Sequence, residues 1–344
     1  WRTYEGGALI DKWKKIVPET DGSMPEEWIM STITARGKNR PKNEGLSLIQ
    51  TTTGIKSLKD LIDSNLELYL GKELAQKYGT TGVLIKMLDS MERLTIQVHP
   101  DKQYARNILN SEFGKTESWY VLNTRKINDE KSVVYIGFKK NVTKQEWQSH
   151  FENQNIQGML NCLHKIEVTP GDAFMIYGGV PHAIGSGCFL MEVQEPTDYT
   201  MRVEKTTPNG LTIGPELIHQ GVGEKKMLEC FHYNTYTLNE ALNNWKITPK
   251  TLDYSNEFTF KTIFNKKHTN CFGLNELVLK GSYTIKGNAR FYVAVIYFGE
   301  GIMICNNKEY TYNQGDEIFV SAAISEINFI SKNESKILLC YPPN

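Results

Sequence analysis

Four side chains of ligand type stand out along the first part of the chain. Gln97 and His99 lie two apart in "LTIQVHPDKQYA", Glu117 opens "ESWYVL", and His182 follows "YGGVP". Residues two apart on a strand point to the same face, so Gln97 and His99 should be neighbours, and Pro100 marks where their ladder ends. Two neutral imidazoles, a carboxylate and an amide oxygen suit a divalent ion that keeps open positions, as a catalytic zinc does. A histidine on a strand is more often packed or solvated than bound to metal, so spacing alone leaves the set open.

The elements that must carry these residues read as strands. Short β-branched and aromatic runs begin at 82 ("GVLIKML"), 94 ("LTIQV"), 118 ("SWYVLN"), 132 ("SVVYIGF"), 164 ("HKIEV"), 172 ("DAFMIYGG") and 188 ("CFLMEVQ"). Gly, Pro and Asn turns between them predict an antiparallel sandwich or barrel. One helix is predicted from Ser57, where Leu58, Leu61, Ile62, Leu66 and Leu70 recur at helical spacing and Gly79 supplies the stop. A second opens at Thr143, with Glu146 three residues on as a capping box and Trp147 and Phe151 on one face. From about Gly273 a further strand set begins. The polar stretch from Glu204 to about Leu252, with a loop at "TTPNGLTIGPE" and a helical "ALNNW", reads as the linker. The predicted domains are 1–252, holding the site, and 253–344.

Composition bounds the function. A chain of 344 residues exceeds one ordinary core. Lys plus Arg and Asp plus Glu number 39 each, so no bulk field draws the protein to nucleic acid or an anionic membrane. Six scattered cysteines without a CxxC pair suit a reduced, cytoplasmic setting. No apolar run is long enough to span a bilayer, and the start at Trp1 in place of Met reads as a trimmed or processed end with no signal peptide.

The segments "QVHPDKQYA", "GKTESWYVL" and "HAIGSGCFLMEVQEPTDYTMRV", with the C-terminal strand set, together resemble the type I mannose-6-phosphate isomerases of short bacterial form. The resemblance covers most of the chain and is strongest from about Thr95 to Val203. It implies a mainly β fold of two cupin-type jelly-roll barrels with helical additions in the N-terminal part, the second barrel metal-free and structural. It implies one Zn2+ per chain on Gln97, His99, Glu117 and His182. Arg202 would lie beside the sugar and steady developing negative charge, with Lys115 close to the metal and Glu192 and Asp198 at the matching acidic positions. Thr95 would touch phosphate, and Lys102 matches a lysine that follows HPD in some members.

The implied activity is the interconversion of mannose 6-phosphate and fructose 6-phosphate. Moving a proton between C2 and C1 through a cis-enediol(ate) needs a base of tuned pKa and a cation over the developing oxyanion. Glu192 is the slightly favoured base or relay and Lys115 the other. The partner implied is a phosphorylated hexose, with no nucleic acid or membrane, and the assembly a monomer or weak homodimer. Three departures bear on specificity. Pro181 is displaced from its usual place in the turn before His182, Asp101 is followed by Lys102, and "VEKTTPNGLTIGPELIHQG" after Arg202 matches the common forms poorly. Isomerisation of another phosphorylated sugar and a non-catalytic sugar-phosphate sensor are the alternatives. An iron-dependent cupin dioxygenase is disfavoured by the Gln97 and Glu117 pattern.

Overall fold

The computed structural model describes residues 2–37 and 40–344; Trp1 lies outside them. The fold is mainly β. Its N-terminal part holds two six-stranded sheets. The first runs, in order across the sheet, Glu26–Ile29, Leu84–Asp89, Cys188–Gln194, Glu117–Thr124, Ala173–Ile176 and Lys246–Ile247. The second runs Met201–Arg202, Gln97–Val98, His182–Ile184, Val133–Lys139 and Thr235–Tyr236, with Leu163–Glu167 also paired to Val133–Lys139.

Strand parity decides what each face carries. Leu88, Trp119, Phe174 and Leu190 of the first sheet meet Val134, Ile136 and Ile184 of the second in one core. The alternate residues of the first sheet, among them Met87, Tyr120, Met175 and Met191, face away and pack on Phe264, Leu274, Val293 and Leu338 of the C-terminal part. The outer face of the second sheet buries Ile96, Val98, Phe138 and Ala183 beneath Trp147, Phe151 and Met159 of two helices. Both sheets are therefore covered on both faces, and polar side chains that point between them have no route to bulk water except through an opening in the sandwich.

The C-terminal part repeats the two-sheet plan. A six-stranded sheet that begins at Lys250–Tyr254 faces a four-stranded one, and Leu277, Ile296, Tyr312, Phe329 and Leu339 fill the space between. The Tyr120 hydroxyl donates to Glu276 Oε2 at 2.7 Å across the junction of the two parts.

Two local expectations are corrected. The helix expected from Ser57 is three short helices, Leu58–Ser64, Leu66–Leu70 and Lys72–Lys77. Asn65 starts a new N-cap by accepting from Leu68 N–H, and Gly71 sits at φ 89, where an added Cβ would lie 2.1 Å from the Ala289 carbonyl oxygen. The strand expected over 94–98 is laddered only at Gln97–Val98. Upstream, the Ile96 N–H donates at 2.6 Å to the Glu204 carboxylate, which also pairs with Arg93, so a side chain takes the place of a ladder carbonyl. The helix Lys144–Glu152 forms with its Thr143/Glu146 capping box as expected.

Trp147 is fully buried and meets the Phe138 ring edge-on at 4.9 Å, backing the sheet that carries Gln97 and His182. Trp147→Ala should cost about 3–5 kcal/mol, read from the denaturant midpoint at unchanged slope. A loss below about 1 kcal/mol would mean that this helix does not brace the sheet.

Candidate metal centre and active cleft

Register brings the ligand-type residues together. His182 pairs directly with Gln97, and Arg202 pairs with Gln97 on its other side. All three point at the facing sheet, where Glu117 begins its strand and Gln194 and Glu192 stand opposite Glu117 and Trp119. His99 follows the end of the Gln97–Val98 strand, fixed by backbone bonds on both sides: Gly179 N–H donates to the His99 carbonyl at 2.8 Å and Lys115 N–H to the Pro100 carbonyl at 2.9 Å. Asp101 then caps the next helix by accepting from Tyr104 N–H. Pro100 thus ends the strand, and the chain turns at once into a helix.

The glycines around this turn are required by close approach. A Cβ on Gly178 would fall 2.5 Å from Asp101 Cα, and one on Gly114 would fall 2.7 Å from the Pro100 carbonyl oxygen. Gly179 has φ 86 and packs on the His232 ring, whose Nε2 lies 2.8 Å from Asp101 Oδ2.

His99, Glu117 and His182 have no solvent exposure, and their ligand atoms all lie within 4.8 Å of one another. Each imidazole turns Nδ1 to a backbone carbonyl, His99 to Tyr199 and His182 to Val180, both at 2.9 Å. The donated Nδ1–H fixes the tautomer and leaves Nε2 as a lone pair. Glu117 Oε2 lies 2.9 Å from His99 Nε2, and Oε1 lies 3.4 Å from His182 Nε2. Trp119 Nε1–H donates to Glu117 Oε1 at 3.1 Å. His182 Nε2 and Glu117 Oε2 are buried without a hydrogen-bond partner. Three convergent acceptors, two of them orphaned, fit a divalent cation with nitrogen and oxygen ligands.

Burial pushes the His99 imidazole down to about 3, against the pull of Glu117, and lowers His182 in the same way. Burial alone would raise Glu117, but the imidazoles and Lys115 hold it well below the ordinary carboxylate range. Lys115 Nζ reaches in at 3.0 Å from His99 Nε2 and 3.2 Å from Glu117 Oε2.

A narrow cleft opens beside this cluster, its wall including Gln97, Lys115, Glu192, Asp198 and Arg202. Glu192 is buried with Lys86 Nζ at 3.1 Å; burial raises its pKa, opposed by Lys86. Arg202 donates to the carbonyls of Thr200 and Leu217 and pairs with neither Glu192 nor Asp198. Its burial lowers it to about 10, so it stays a cation at neutral pH. Asp198 accepts from Arg36 N–H at 2.8 Å. Thr95 and Lys102 are not on the cleft wall. Thr95 is buried with an unpartnered hydroxyl, and Lys102 lies on a helix surface with Nζ 3.5 Å from Glu195.

The cleft also holds Glu26, the first residue of "EEWIMS", a segment that resembles an early acidic-Trp-aliphatic one near the family's site. Beside it stand residues the sequence had not singled out: Arg2, Arg36, Arg40 and Lys86. Lys86 was concealed in a strand-like run, and its signal was a charged residue at an inward position, since it stands opposite Glu192 on one side and Trp28 on the other.

Gly178→Ala should displace Asp101 and with it His99, lowering metal affinity at least about tenfold, while His182→Ala should abolish stoichiometric binding. Metal analysis after dialysis decides both, and full retention by His182→Ala would remove it from the ligand set. Acid provides a further check on the metal-free protein. With His99 at about 3 against 6.5 for a free imidazole, the unfolded chain binds protons that the folded one does not. Stability is therefore complete above pH 6.5 and falls toward pH 3, by about 1.4 kcal/mol per pH unit for each such group. The depressed Glu117 acts in the same sense at lower pH. Denaturant midpoints taken across this range should fall with acid and fall less in His99→Gln; a flat wild-type profile would contradict neutral buried imidazoles.

Residues 12–126 match the family model "Phosphomannose isomerase type I, catalytic domain". The chain is 26% identical over 244 residues to mannose-6-phosphate isomerase ManA of Bacillus subtilis, covering 71% of this chain and 70% of that one. It is 26% identical over 248 residues to mannose-6-phosphate isomerase of Streptococcus mutans, covering 72% and 70%. The crystal structure of the mannose 6-phosphate isomerase from Bacillus subtilis superposes with a TM-score of 0.73 at 22% identity, over 99% of this chain and 96% of that one, which shows a shared fold. Residues 12–126 are thus similar to the catalytic domain of type I phosphomannose isomerases, and the relatives that align with about 70% of the chain are mannose-6-phosphate isomerases.

Proposed function

We propose that the protein is a zinc-dependent aldose–ketose isomerase that interconverts mannose 6-phosphate and fructose 6-phosphate through a cis-enediolate. The observation that carries this reading is a buried His99/Glu117/His182 cluster joined through Lys115 to a cleft whose wall also holds Glu192 and Arg202. Gln97, opposite His182 in register, is the fourth proposed ligand. A zinc ion held there would supply Lewis-acid polarisation of the sugar oxygens.

The chain's own groups account for the proton movements. Glu192 takes the C2 proton of the aldose and returns it to C1, while a hydroxyl proton passes from the C2 oxygen to the C1 oxygen. A carboxylate with a raised pKa is suited to both taking and returning a proton near neutral pH. Lys86 holds Glu192 from behind, whereas Lys115 Nζ is turned to His99 and Glu117; this favours Glu192 over Lys115 as the base. Arg202, fixed by two carbonyls on the cleft wall, is the proposed cation that steadies the developing enediolate oxygen.

Charge supports a phosphorylated substrate. The cleft wall has six basic side chains (Arg2, Arg36, Arg40, Lys86, Lys115, Arg202) and three acidic ones (Glu26, Glu192, Asp198), a surplus of three positive charges in a chain whose net charge is zero. The organisation proposed with this activity is a catalytic cupin domain over 1–252 and a structural cupin-like barrel over 253–344. A cytoplasmic location is supported by the six free cysteines.

A coupled assay for fructose 6-phosphate formed from mannose 6-phosphate, before and after chelation, tests the reading. Turnover should vanish on chelation and return with zinc; inactivity of the zinc-loaded protein would refute this substrate. Arg202→Ala should lower kcat about 100-fold or more with metal and fold retained, and an unchanged kcat would remove it from the reacting end.

A further inference from the structure

Most cations of the cleft are already committed. Arg2 pairs with Glu26 at 3.0 Å and Glu44 at 3.4 Å. Lys86 lies between Glu192 and Glu26. Arg40 pairs with Glu44, Lys115 with Glu117, and Arg202 is held at the reacting end. Arg36 differs, because its guanidinium has no carboxylate pair among the described residues. Its carboxylate contact is through the backbone, where Arg36 N–H meets Asp198 Oδ2.

The side chain is nevertheless held. Arg36 Nε donates to Gln220 Oε1 at 3.1 Å, and the guanidinium lies over the Tyr199 ring at 4.4 Å. Gln220 is fixed in turn, its Nε2 donating to the Thr200 carbonyl at 3.1 Å. A guanidinium that uses Nε and one face for its own support keeps its two Nη groups as a preset fork, which matches two oxygens of a phosphate. A charged side chain tied down at an exposed mouth, with its donor edge free, is expected of an anion anchor rather than of a structural ion pair.

We propose that Arg36 grips the phosphate of the substrate, with Gln220 and Tyr199 as the groups that position it. This rests on the sugar-phosphate reading above and adds to it the residue that selects the phosphorylated sugar.

The test uses the full chain loaded with zinc, as wild type, Arg36→Ala, Arg36→Lys and Gln220→Ala. KM and kcat for mannose 6-phosphate are measured, with affinity for inorganic phosphate by titration calorimetry and metal content. Arg36→Ala should raise KM by about 10–100-fold, leave kcat within about threefold and weaken phosphate binding by a similar factor. Metal content should not change. Arg36→Lys should recover only part of the loss, because an ammonium cannot bind in a fork, and Gln220→Ala should show a smaller loss in the same direction. Unchanged KM and phosphate affinity in Arg36→Ala would overturn the assignment, as would a fall confined to kcat. If the wild type does not turn over mannose 6-phosphate, the substrate reading fails by itself. The phosphate titration still decides Arg36: binding lost with Arg36→Ala supports it, while binding equal in both proteins, or absent from the wild type, overturns it.

Discussion

Burying the Glu117 carboxylate between two sheets whose inward side chains are largely apolar costs several kcal/mol unless neighbouring groups compensate it. The Trp119 indole N–H satisfies one oxygen. His182 stands beside that same oxygen and His99 beside the other, but their Nδ1 protons are spent on backbone carbonyls and their Nε2 atoms present lone pairs. Three acceptors pointed at one another repel, so the cluster is stable only with positive charge among them. Lys115 Nζ brings such a charge to within 3.2 Å of the carboxylate, and a divalent ion would bring a larger one. The residues that a catalyst needs and those that the buried carboxylate needs are thus the same, and a substitution at any of them acts on fold and chemistry together.

A short run of chain couples this centre to the cleft. The Tyr199 carbonyl receives His99 Nδ1–H while the Tyr199 ring supports Arg36. Asp198 receives the Arg36 backbone N–H, and the Thr200 carbonyl receives both Gln220 and Arg202. Residues 198–202 therefore orient a ligand of the buried cluster, the Arg202 guanidinium and the mouth of the cleft from one segment, which pairs at Met201–Arg202 with Gln97–Val98. Rigid placement on paired backbone suits groups that must meet reacting atoms within a fraction of an ångström.

The ligand-type residues were legible because type and parity agree. Gln97 and His99 share a face, Glu117 starts a strand, and His182 ends a glycine turn whose glycines are needed where backbones nearly touch. The limits of legibility are equally physical. The helix from Ser57 has a continuous apolar stripe, and Asn65 and Gly71 were readable as breakers, yet it took the contact of Gly71 with the Ala289 carbonyl to require the break. Lys86 sat inside "GVLIKML" and passed for a strand residue because only pairing reveals that its neighbours across the sheet are Glu192 and Trp28. Arg36 and Arg40 lie in a polar loop without periodicity, where sequence offers no face to assign. Thr95 and Lys102, drawn from resemblance rather than from parity, fall away from the cleft wall.

These differences divide the cleft into two regimes. At the buried end, the ligand-type side chains sit on paired strands or beside glycine turns with no room for a Cβ, so few substitutions are tolerated. At the mouth, Arg36 and Gln220 come from loops, which accept insertion and change at little cost to the core. A fold arranged in this way can keep one proton-transfer chemistry while the groups that recognise the remote part of the substrate change. Because the remote phosphate adds binding energy common to the ground and transition states, residues of the loop end act on KM and kcat/KM without touching the atoms that react. The surplus of positive charge at the cleft, set in a chain of zero net charge, then has a definite use: it draws the dianionic end of a substrate to a neutral protein while leaving the rest of the surface without preference for polyanions.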